Sequence, residues 1–387
     1  MTDRPLRNVS TPKVVIIGAG VIGLGIAWRL AARGATVEVF DRGEAGRGAS
    51  HAAAGMLAAC CEAEPGEDAL VALGRDSQAR WPGFAAELLE ASGIDVELRQ
   101  DGTLVVALTA DDQARIHHHL AYQQKLDLPL QWISAAETRR KEPHLAGKLA
   151  GAVWSPQDHQ VDNRKLATAV RIAAERAGAV IHEHTAVNEI SLSGRRADGV
   201  VLHSGSKVGA DVVVLAAGAW SRGIAGLAPE HRPPVRPIKG QMLALRMDPA
   251  APLITHVIWA PGVYLVPRRD GRLIIGATVE EKSFDTTLTA GGVLTLLEAA
   301  WRAVPAVEEL PIDELWVGHR PGSRDDAPIL GPGPVQGLVY ATGHHRNGIL
   351  LAPVTADAMA RLVLEGAVDP AIRPFGIERF ALPKAAE

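Results

Sequence analysis

The first strongly apolar stretch of the chain is a run of hydrophobic residues and glycines, Val14–Trp28. A membrane span needs about 20 apolar residues, and each glycine weakens an isolated helix by roughly 1 kcal/mol relative to alanine. A secretion signal also has a short apolar core behind basic residues, but it does not require glycines at this spacing. The pattern instead predicts a buried strand, Lys13–Ile17, which a glycine turn connects to a helix, Ile22–Arg33.

The glycines of this turn, Gly18, Gly20 and Gly23, have the spacing of a dinucleotide-binding motif. The first glycine permits the tight turn, the second lets the backbone approach a pyrophosphate, and the third lets the helix pack closely on the strand. The start of the helix, at Val21 and Ile22, directs free N–H groups toward the phosphates. We therefore predict that this part of the chain binds a dinucleotide.

A second predicted strand, Thr36–Phe40, ends at an acidic residue, Asp41. Its carboxylate can accept hydrogen bonds from both hydroxyls of an adenosine ribose, and its charge would repel a 2′-phosphate. The strand, the glycines, the helix and the acid thus agree with one another, as a dinucleotide site requires.

The alternation of strands and helices then stops and resumes in three later stretches. They contain the helix Arg164–Ala177 with the strand Val180–His182, a buried strand within Asp211–Trp220, and the strand Gly337–Gly343 followed by a helix at about Ala352–Glu365. The segments between these stretches show alternating residues and hairpin turns instead, which is typical of an antiparallel sheet.

This organisation predicts an α/β fold in two domains. A Rossmann-type FAD-binding domain is assembled from the discontinuous segments 12–90, 156–226 and 319–375, and a largely antiparallel β-sheet substrate domain with flanking helices comprises 91–155 and 227–318. A nicotinamide-dependent dehydrogenase usually completes its nucleotide fold in one contiguous block. The discontinuity therefore favours FAD as the cofactor.

Composition narrows the function classes. The chain has 387 residues, 47% of them hydrophobic, and can bury a substantial core. A net charge of -4 without a long basic run argues against a nucleic-acid surface. The cysteines are the adjacent pair Cys60 and Cys61, so neither a disulfide framework nor a C-x-x-C motif is present, and we expect a reducing, cytoplasmic location.

Six segments of the chain resemble the D-amino-acid oxidase superfamily and, within it, the bacterial glycine oxidases of thiamine biosynthesis. They are Val14–Gly25, Gly48–Leu57, Val212–Trp220, Tyr264–Arg268, Gly318–Gly322 and Gly343–Leu351. The resemblance extends from about residue 12 to 380 and follows the family's order. It implies an FAD domain joined to an antiparallel substrate domain, oxidative deamination of small amines, and assembly into a homo-oligomer.

Two loops are expected to contact the flavin. The small residues of Ser50–Met56 let the backbone lie against the pyrophosphate and the ring, and the Gly343–Gly348 loop precedes a helix whose N–H groups can stabilise charge on the reduced ring. The resemblance implies that Val187 contacts the adenine and that the flavin is bound non-covalently. The predicted FAD-binding residues are Gly18, Gly20, Val21, Ile22, Gly23, Asp41, Arg42, Ser50, Ala53, Ala54, Gly55, Met56, Val187, Ala217, Gly218, Trp220, His344, His345, Arg346, Asn347, Gly348, Ile349 and Leu350.

Three residues are candidates for handling the substrate. Arg320 lies at a strand end before a proline and a glycine, and matches the arginine with which the family binds a carboxylate through two parallel donors. The hydroxyl of Tyr264 could reach the same carboxylate. Arg346 matches a family arginine near the mouth of the site, and serves either as a second anion contact or as a structural cap.

No metal site is expected. His117, His118 and His119 lie in a predicted helix, where consecutive side chains point in different directions. His182 and His184 share a predicted strand face, but two histidines lack the further ligands that a stable zinc site needs.

The expected reaction is hydride transfer from the α-carbon of a neutral amine to flavin N5. Water hydrolyses the resulting imine to an oxoacid and ammonia, and O2 is reduced to hydrogen peroxide. A flavin-dependent dehydrogenase that uses a quinone or a partner protein is the nearer alternative, and a nicotinamide-dependent dehydrogenase or a non-catalytic nucleotide-binding module is the more remote one. Gly262 and Val279 depart from the residues expected of a glycine oxidase, which leaves glycine, sarcosine and larger D-amino acids as possible substrates.

Overall fold

The structure is a computed structural model that describes residues 11–381. The strands of this part of the chain are β1 (Lys13–Ile17), β2 (Thr36–Phe40), β3 (Met56–Leu57), β4 (Thr103–Ala107), β5 (Gln131–Ser134), β6 (Gly151–Ser155), β7 (His159–Gln160), β8 (Val180–His182), β9 (Val187–Ser193), β10 (Arg196–Leu202), β11 (Lys207–Gly209), β12 (Val212–Leu215), β13 (Arg236–Arg246), β14 (Val257–Ala260), β15 (Val263–Pro267), β16 (Arg272–Gly276), β17 (Ile312–Gly322), β18 (Ile329–Pro332) and β19 (Leu338–Thr342). Its α-helices are α1 (Val21–Ala31), α2 (Ala49–Ala52), α3 (Asp68–Ser92), α4 (Ala110–Lys125), α5 (Ala135–Lys141), α6 (Asn163–Arg176), α7 (Ala290–Ala303) and α8 (Ala352–Glu365).

A six-stranded sheet is built around the strand of the opening apolar run. Its order is β18-β19-β12-β1-β2-β8, and every neighbouring pair is parallel except β18 with β19. Val14 and Ile16 of β1 face the core formed with the helices, whereas Val15 and Ile17 face the core shared with the β9–β11 sheet. Because both faces of β1 are buried, its sequence is continuously apolar rather than alternating.

The glycine turn between β1 and α1 has the geometry that its spacing predicts. Gly18 has φ +107°, and a Cβ there would lie 2.5 Å from the carbonyl oxygen of Ala216. A Cβ at Gly23 would lie 1.9 Å from the carbonyl oxygen of Gly18. The absence of both side chains therefore lets α1 start directly against β1 and β12.

An eight-stranded sheet forms the second half of the architecture. Its order is β17-β13-β16-β15-β14-β4-β6-β5, and only β14 with β4 pairs in parallel. Helix α7 packs on this sheet through Leu296 and Ala300. The predicted α/β class, with a mixed nucleotide sheet from separated segments and a largely antiparallel second sheet, is confirmed.

Some element predictions needed correction. Helix α1 ends at Ala31 rather than Arg33, and the strand predicted within Asp211–Trp220 ends at Leu215, before a 3-10 turn at Gly218–Gly223. His182 and His184 do not share a strand face, because β8 stops at His182 and His184 has φ +51°.

The predicted domain boundaries remain a prediction, and β17 runs across the one placed between 318 and 319. Residues 11–381 contain no helix with the length and hydropathy of a membrane-spanning segment.

We expect Gly23→Ala to destabilise the protein, because the new methyl group would force the backbone of the β1–α1 turn apart. Overpacking of this kind costs about 1–3 kcal/mol or more. Gly83 is the matched control, since it is an exposed residue of α3 with no atom within 4 Å of a built Cβ. Gly83→Ala should raise the free energy of unfolding by about 0.5–1 kcal/mol. Unfolding in urea measures both effects, and equal stability of Gly23→Ala and the parent would contradict the expectation.

Candidate functional site

A cavity of about 1140 Å³ lies between the two sheets. On one side it is lined by the residues that follow β1, β2, β12 and β19, at the carboxyl ends of the parallel strands. Ligands bind at this edge in open α/β sheets. On the other side it is lined by residues of β13 to β17.

The structure brings the predicted site residues together around this cavity. All of the predicted FAD-binding residues except Gly23 line it, as do Tyr264 and Arg320. Gly23 lies behind the turn, where it allows the close packing described above. That these residues contact FAD or substrate stays a prediction.

Asp41 ties the glycine turn to the end of β2. Its Oδ2 accepts a hydrogen bond from the N–H of Ala19 at 2.7 Å, and its Oδ1 accepts one from the N–H of Gly43 at 2.9 Å. A carboxylate offers about four lone-pair positions, so these bonds leave room for the predicted ribose hydroxyls. The sequence pattern indicated the ribose role only, and the second role in shaping the turn was missed.

Ser50 closes the same end of the cavity. Its hydroxyl accepts a hydrogen bond from the N–H of Val21, at the first turn of α1, at 2.9 Å. Gly20, the residue before α1, would place a Cβ 3.3 Å from this hydroxyl. A side chain at Gly20 would therefore fill the space between α1 and Ser50 that a pyrophosphate needs.

The 50–56 loop is held from the side of the second sheet by a buried arginine, Arg268. Its Nη2 donates to the carbonyl oxygen of Ala54 at 2.5 Å, and its Nη1 donates to Oε1 of Gln160 at 2.8 Å. Burial lowers the pKa of Arg268 to about 10, so the guanidinium remains charged at neutral pH. Trp316 of β17 adds a hydrogen bond from Nε1 to the carbonyl oxygen of Ala52 at 3.1 Å. Neither contact is predictable from the sequence, because the residues that form each one are far apart along the chain.

The histidine loop, residues 343–348, lines the cavity beside the 50–56 loop. Burial lowers the pKa of His344 to about 3 and that of His345 to about 4. Both imidazoles are therefore neutral near pH 7. His344 forms a hydrogen bond between Nε2 and the hydroxyl of Thr355 in α8 at 3.2 Å, which fixes the loop on the helix.

Arg320 and Tyr264 lie at the end of the cavity formed by the second sheet. The Nη1 of Arg320 donates to the carbonyl oxygen of Thr278 at 3.1 Å, and no carboxylate of residues 11–381 forms an ion pair with this guanidinium. A Cβ on Gly240 would lie 2.6 Å from the same Nη1, so the guanidinium packs closely against the backbone of Gly240. Burial raises the pKa of Tyr264, against the opposing influence of Arg320, and its hydroxyl remains a donor.

Arg346 is already paired with acidic residues. Its Nε lies 2.9 Å from Oε2 of Glu62, and its Nη2 lies 3.4 Å from Oε2 of Glu67. This arrangement favours the structural role of Arg346 over that of a second anion contact.

Glu62 is a cavity residue that the sequence analysis missed. Its side chain is 13% exposed, and it lines the cavity together with Arg320 and Tyr264. Burial raises the pKa of its carboxyl to about 7, although Arg346 acts in the opposite direction. Glu62 does not belong to a sequence motif. Only its ion pair with Arg346, which is far along the chain, identifies it as a residue of the site.

The cysteines and histidines do not form a metal site in the part of the chain that the structure describes. Asp158 accepts hydrogen bonds from the N–H groups of Cys60 and Cys61, at 3.0 and 2.7 Å. Burial, followed by the charge of Asp158, raises the pKa of both thiols.

Comparison with known proteins identifies relatives along nearly the whole chain. The family described as FAD-dependent oxidoreductase (DAO) matches residues 13–362. Glycine oxidase of Geobacillus kaustophilus (strain HTA426) is 39% identical over 370 residues, which cover 95% of this chain and 96% of that protein. The bifunctional protein ThiO/ThiG of Synechocystis sp. is 39% identical over 381 residues, 96% of this chain but 54% of that protein. The crystal structure of the Geobacillus kaustophilus glycine oxidase has a TM-score of 0.88 and 38% identity, covering 96% of this chain and 100% of that one.

We expect Asp41→Ala to weaken FAD binding, because it removes acceptors for the ribose and releases the glycine turn from β2. The loss of hydrogen bonds to a charged group is worth about 1.5–3 kcal/mol, or roughly a ten- to hundredfold rise in Kd. Glu38→Ala is the matched control, since Glu38 is an ion-paired acid of β2, the strand that Asp41 follows, and does not line the cavity. Titration of the apoprotein with FAD measures both constants. An unchanged Kd in Asp41→Ala would argue against the assignment.

Proposed function

Because the chain belongs to the DAO family of FAD-dependent oxidoreductases, we propose that it catalyses the oxidative deamination of glycine or another small amino acid or amine. The α-carbon loses a hydride, water hydrolyses the resulting imine to an oxoacid and ammonia, and O2 is reduced to hydrogen peroxide. With glycine the oxoacid is glyoxylate. Similarity to the glycine oxidase of Geobacillus kaustophilus along both chains supports this proposal.

The cavity fits FAD. Its volume of about 1140 Å³ exceeds the ~300–1,000 Å³ of most sites for drug-sized ligands. The glycine turn and the start of α1 would hold the pyrophosphate, and Asp41 would hold the ribose. Val187 would contact the adenine, and the 50–56 and histidine loops would contact the flavin. When bound, FAD supplies the hydride acceptor and the route by which electrons reach O2.

The observation that carries the proposal is the uncompensated guanidinium of Arg320 beside the Tyr264 hydroxyl at the end of the cavity. A planar guanidinium binds a carboxylate through two parallel hydrogen bonds. The Tyr264 hydroxyl would donate a third hydrogen bond to the same group. These contacts would fix the direction of the α-C–H bond, which is the main requirement of hydride transfer.

The site supports a reaction without a histidine base. His344 and His345 have lowered pKa values and are held in the histidine loop. We infer that the amine reacts in its neutral form and that the protein contributes orientation and charge stabilisation.

The substrate end leaves space for groups larger than glycine. Gly262 and Val279 both line the cavity, a Cβ on Gly262 would meet no atom within 4 Å, and Val279 is 72% exposed. This openness favours sarcosine or a larger D-amino acid as a second candidate substrate. A panel of amines assayed for peroxide ranks the candidates, and amine oxidation without peroxide would identify a dehydrogenase instead.

We further propose a role in the synthesis of the thiazole of thiamine. The supporting observations are the resemblance to glycine oxidases of thiamine biosynthesis and the similarity to the bifunctional ThiO/ThiG protein of Synechocystis. Growth of a deletion strain with and without thiamine tests this role, and thiamine-independent growth would contradict it.

We expect Arg320→Leu to lower kcat/KM for amino acids by roughly two to four decades. The change leaves the substrate carboxylate without a partner, and breaking a buried pair costs about 3–5 kcal/mol. Arg320→Lys should recover only part of the lost kcat/KM, because an ammonium cannot present a planar pair of donors. Steady-state peroxide production measures the effect.

A small amine without a carboxylate, such as ethylamine, is the control substrate for this prediction. Its slow oxidation should be nearly insensitive to Arg320→Leu, and the flavin content and absorbance should stay normal. If amino-acid turnover stayed within about threefold of the parent, less than 1 kcal/mol, the carboxylate would be held elsewhere.

We expect the affinity for a non-reacting carboxylate to fall as the pH rises through about 7. Glu62 is neutral below its pKa of about 7 and negative above it, and its negative charge opposes an anion at Arg320. The fall should reach up to about tenfold, the equivalent of one pKa unit. Acetate binding, followed by the flavin absorbance on both sides of pH 7, measures it.

Glu62→Gln should remove this pH step, whereas Glu64→Gln, a change of an exposed acid in the same segment, should retain it. The other charged groups that influence Glu62 are Arg346, Asp158, Glu67 and Arg320. A step of the same size in Glu62→Gln would assign the titration to another group.

A further inference from the structure

One wall of the substrate end is formed by residues 277–289, which we call the anchored segment. Ala277 and Val279 line the cavity, and the carbonyl oxygen of Thr278 accepts the hydrogen bond from Arg320. None of the apolar side chains of this segment is fully buried: Phe284 is 41% exposed and stacks on Trp220 with ring centroids 5.0 Å apart, and Leu288 is 38% exposed. Apolar burial therefore does little to hold the anchored segment in place.

A buried lysine of β13, Lys239, holds the anchored segment instead. Its side chain is 0% exposed, and its Nζ donates to Oδ2 of Asp285 and to the carbonyl oxygen of Thr287, each at 2.6 Å. Oε2 of Glu280 lies 3.8 Å from the same Nζ. All of these partners belong to the anchored segment, so one ammonium links three of its positions to the sheet.

Backbone hydrogen bonds extend this connection to the residue that contacts Arg320. The N–H of Lys239 donates to the carbonyl oxygen of Glu280 at 3.0 Å, and the N–H of Glu280 donates back at 2.9 Å. Next along β13, the N–H of Gln241 donates to the hydroxyl of Thr278 at 2.8 Å. These hydrogen bonds thus connect Thr278 to the part of β13 that contains Lys239.

Two further buried side chains complete the attachment. Gln241 donates from Nε2 to Oε1 of Glu280 at 2.8 Å and accepts at Oε1 from the N–H of Thr289 at 2.8 Å. The Nε2 of His319, next to Arg320 in β17, lies 3.0 Å from the carbonyl oxygen of Asp285. Both donors are neutral side chains, and Lys239 supplies the buried positive charge of the attachment.

We propose that Lys239 is a positioning residue for substrate recognition, which fixes the Thr278 carbonyl and through it the Arg320 guanidinium. This inference rests on the proposed function, since it assumes that Arg320 binds a substrate carboxylate. Lys239 itself does not line the cavity. Without its ammonium, Asp285 and Glu280 lose their buried cation, and the anchored segment loses its strongest attachment.

Lys239→Met tests the proposal, because methionine has a similar shape without the charge. We expect KM for the amino-acid substrate to rise about tenfold or more while kcat changes much less. The Kd of acetate, measured from the flavin absorbance, should rise by a similar factor. Oxidation of ethylamine, which has no carboxylate for Arg320, should stay within about twofold of the parent.

Glu281→Gln is the matched control. Glu281 pairs with Arg236 at 3.1 Å and so also connects the anchored segment to β13, but both side chains are exposed. Exposed ion pairs contribute little, and KM should change by less than about twofold. If Lys239→Met fails to retain FAD, Asp285→Asn is the second variant. It removes the shortest ion pair of Lys239 but leaves the contacts of Lys239 with Thr287 and Glu280. We expect the same selective rise in KM for the amino acid, but a smaller one.

If Lys239→Met lowered the oxidation of the amino acid and of ethylamine by the same factor, the proposal would be overturned, because such a result indicates a general structural role for Lys239. An unchanged KM and an unchanged acetate Kd would also overturn it. If the parent protein oxidises no amino acid, the proposed function fails, whereas acetate binding still tests the link from Lys239 to Arg320.

Discussion

The hydrogen bonds of the buried Arg268 guanidinium join the two halves of this molecule. They run from the end of β15 to the 50–56 loop at Ala54 and to Gln160 of β7. Without them, a charged donor and its acceptors would lie unsatisfied in the interior, which is far more costly than an exposed loop contact. The cavity exists in its observed shape because this loop is fixed between the sheets.

The two sheets contribute different chemistry to the cavity. The six-stranded sheet presents backbone N–H groups, small residues and one carboxylate, Asp41, which suit an extended anionic cofactor. The eight-stranded sheet presents Arg320 and Tyr264, which suit a small carboxylate-bearing substrate. The two arginines of the cavity differ in charge compensation, since Arg346 is paired with Glu62 and Glu67 whereas Arg320 has no acidic partner in the described chain.

The parts predictable from the sequence are those set by local rules. The bounds of β1, β2, β8 and α8 agree with the prediction, because continuous apolar runs and glycines determine them within a few residues. The resemblance to the family likewise allowed Arg320 and Tyr264 to be proposed as site residues, because each lies in a short recognisable segment. The sheet order and the sharing of one cavity then follow from the fold class.

The parts that could not be predicted depend on pairs of residues far apart in sequence. An arginine in a hairpin region, such as Arg268, and a lysine in a strand, such as Lys239, are usually solvated, and only their folded neighbours show them to be buried. Glu62 is likewise one acid among several in its loop until Arg346 identifies it. Such long-range pairing leaves no local pattern.

The proposed product, hydrogen peroxide, makes the environment of the adjacent cysteines important. Hydrogen peroxide oxidises thiolates, and a protonated, inaccessible thiol reacts slowly. Burial, followed by the carboxylate of Asp158, raises the pKa of both thiols and keeps them in the protonated form. Both cysteines lie in the chain between Ala58 and Glu62, two residues of the cavity lining, so peroxide formed there by the proposed reaction would meet thiols that react slowly.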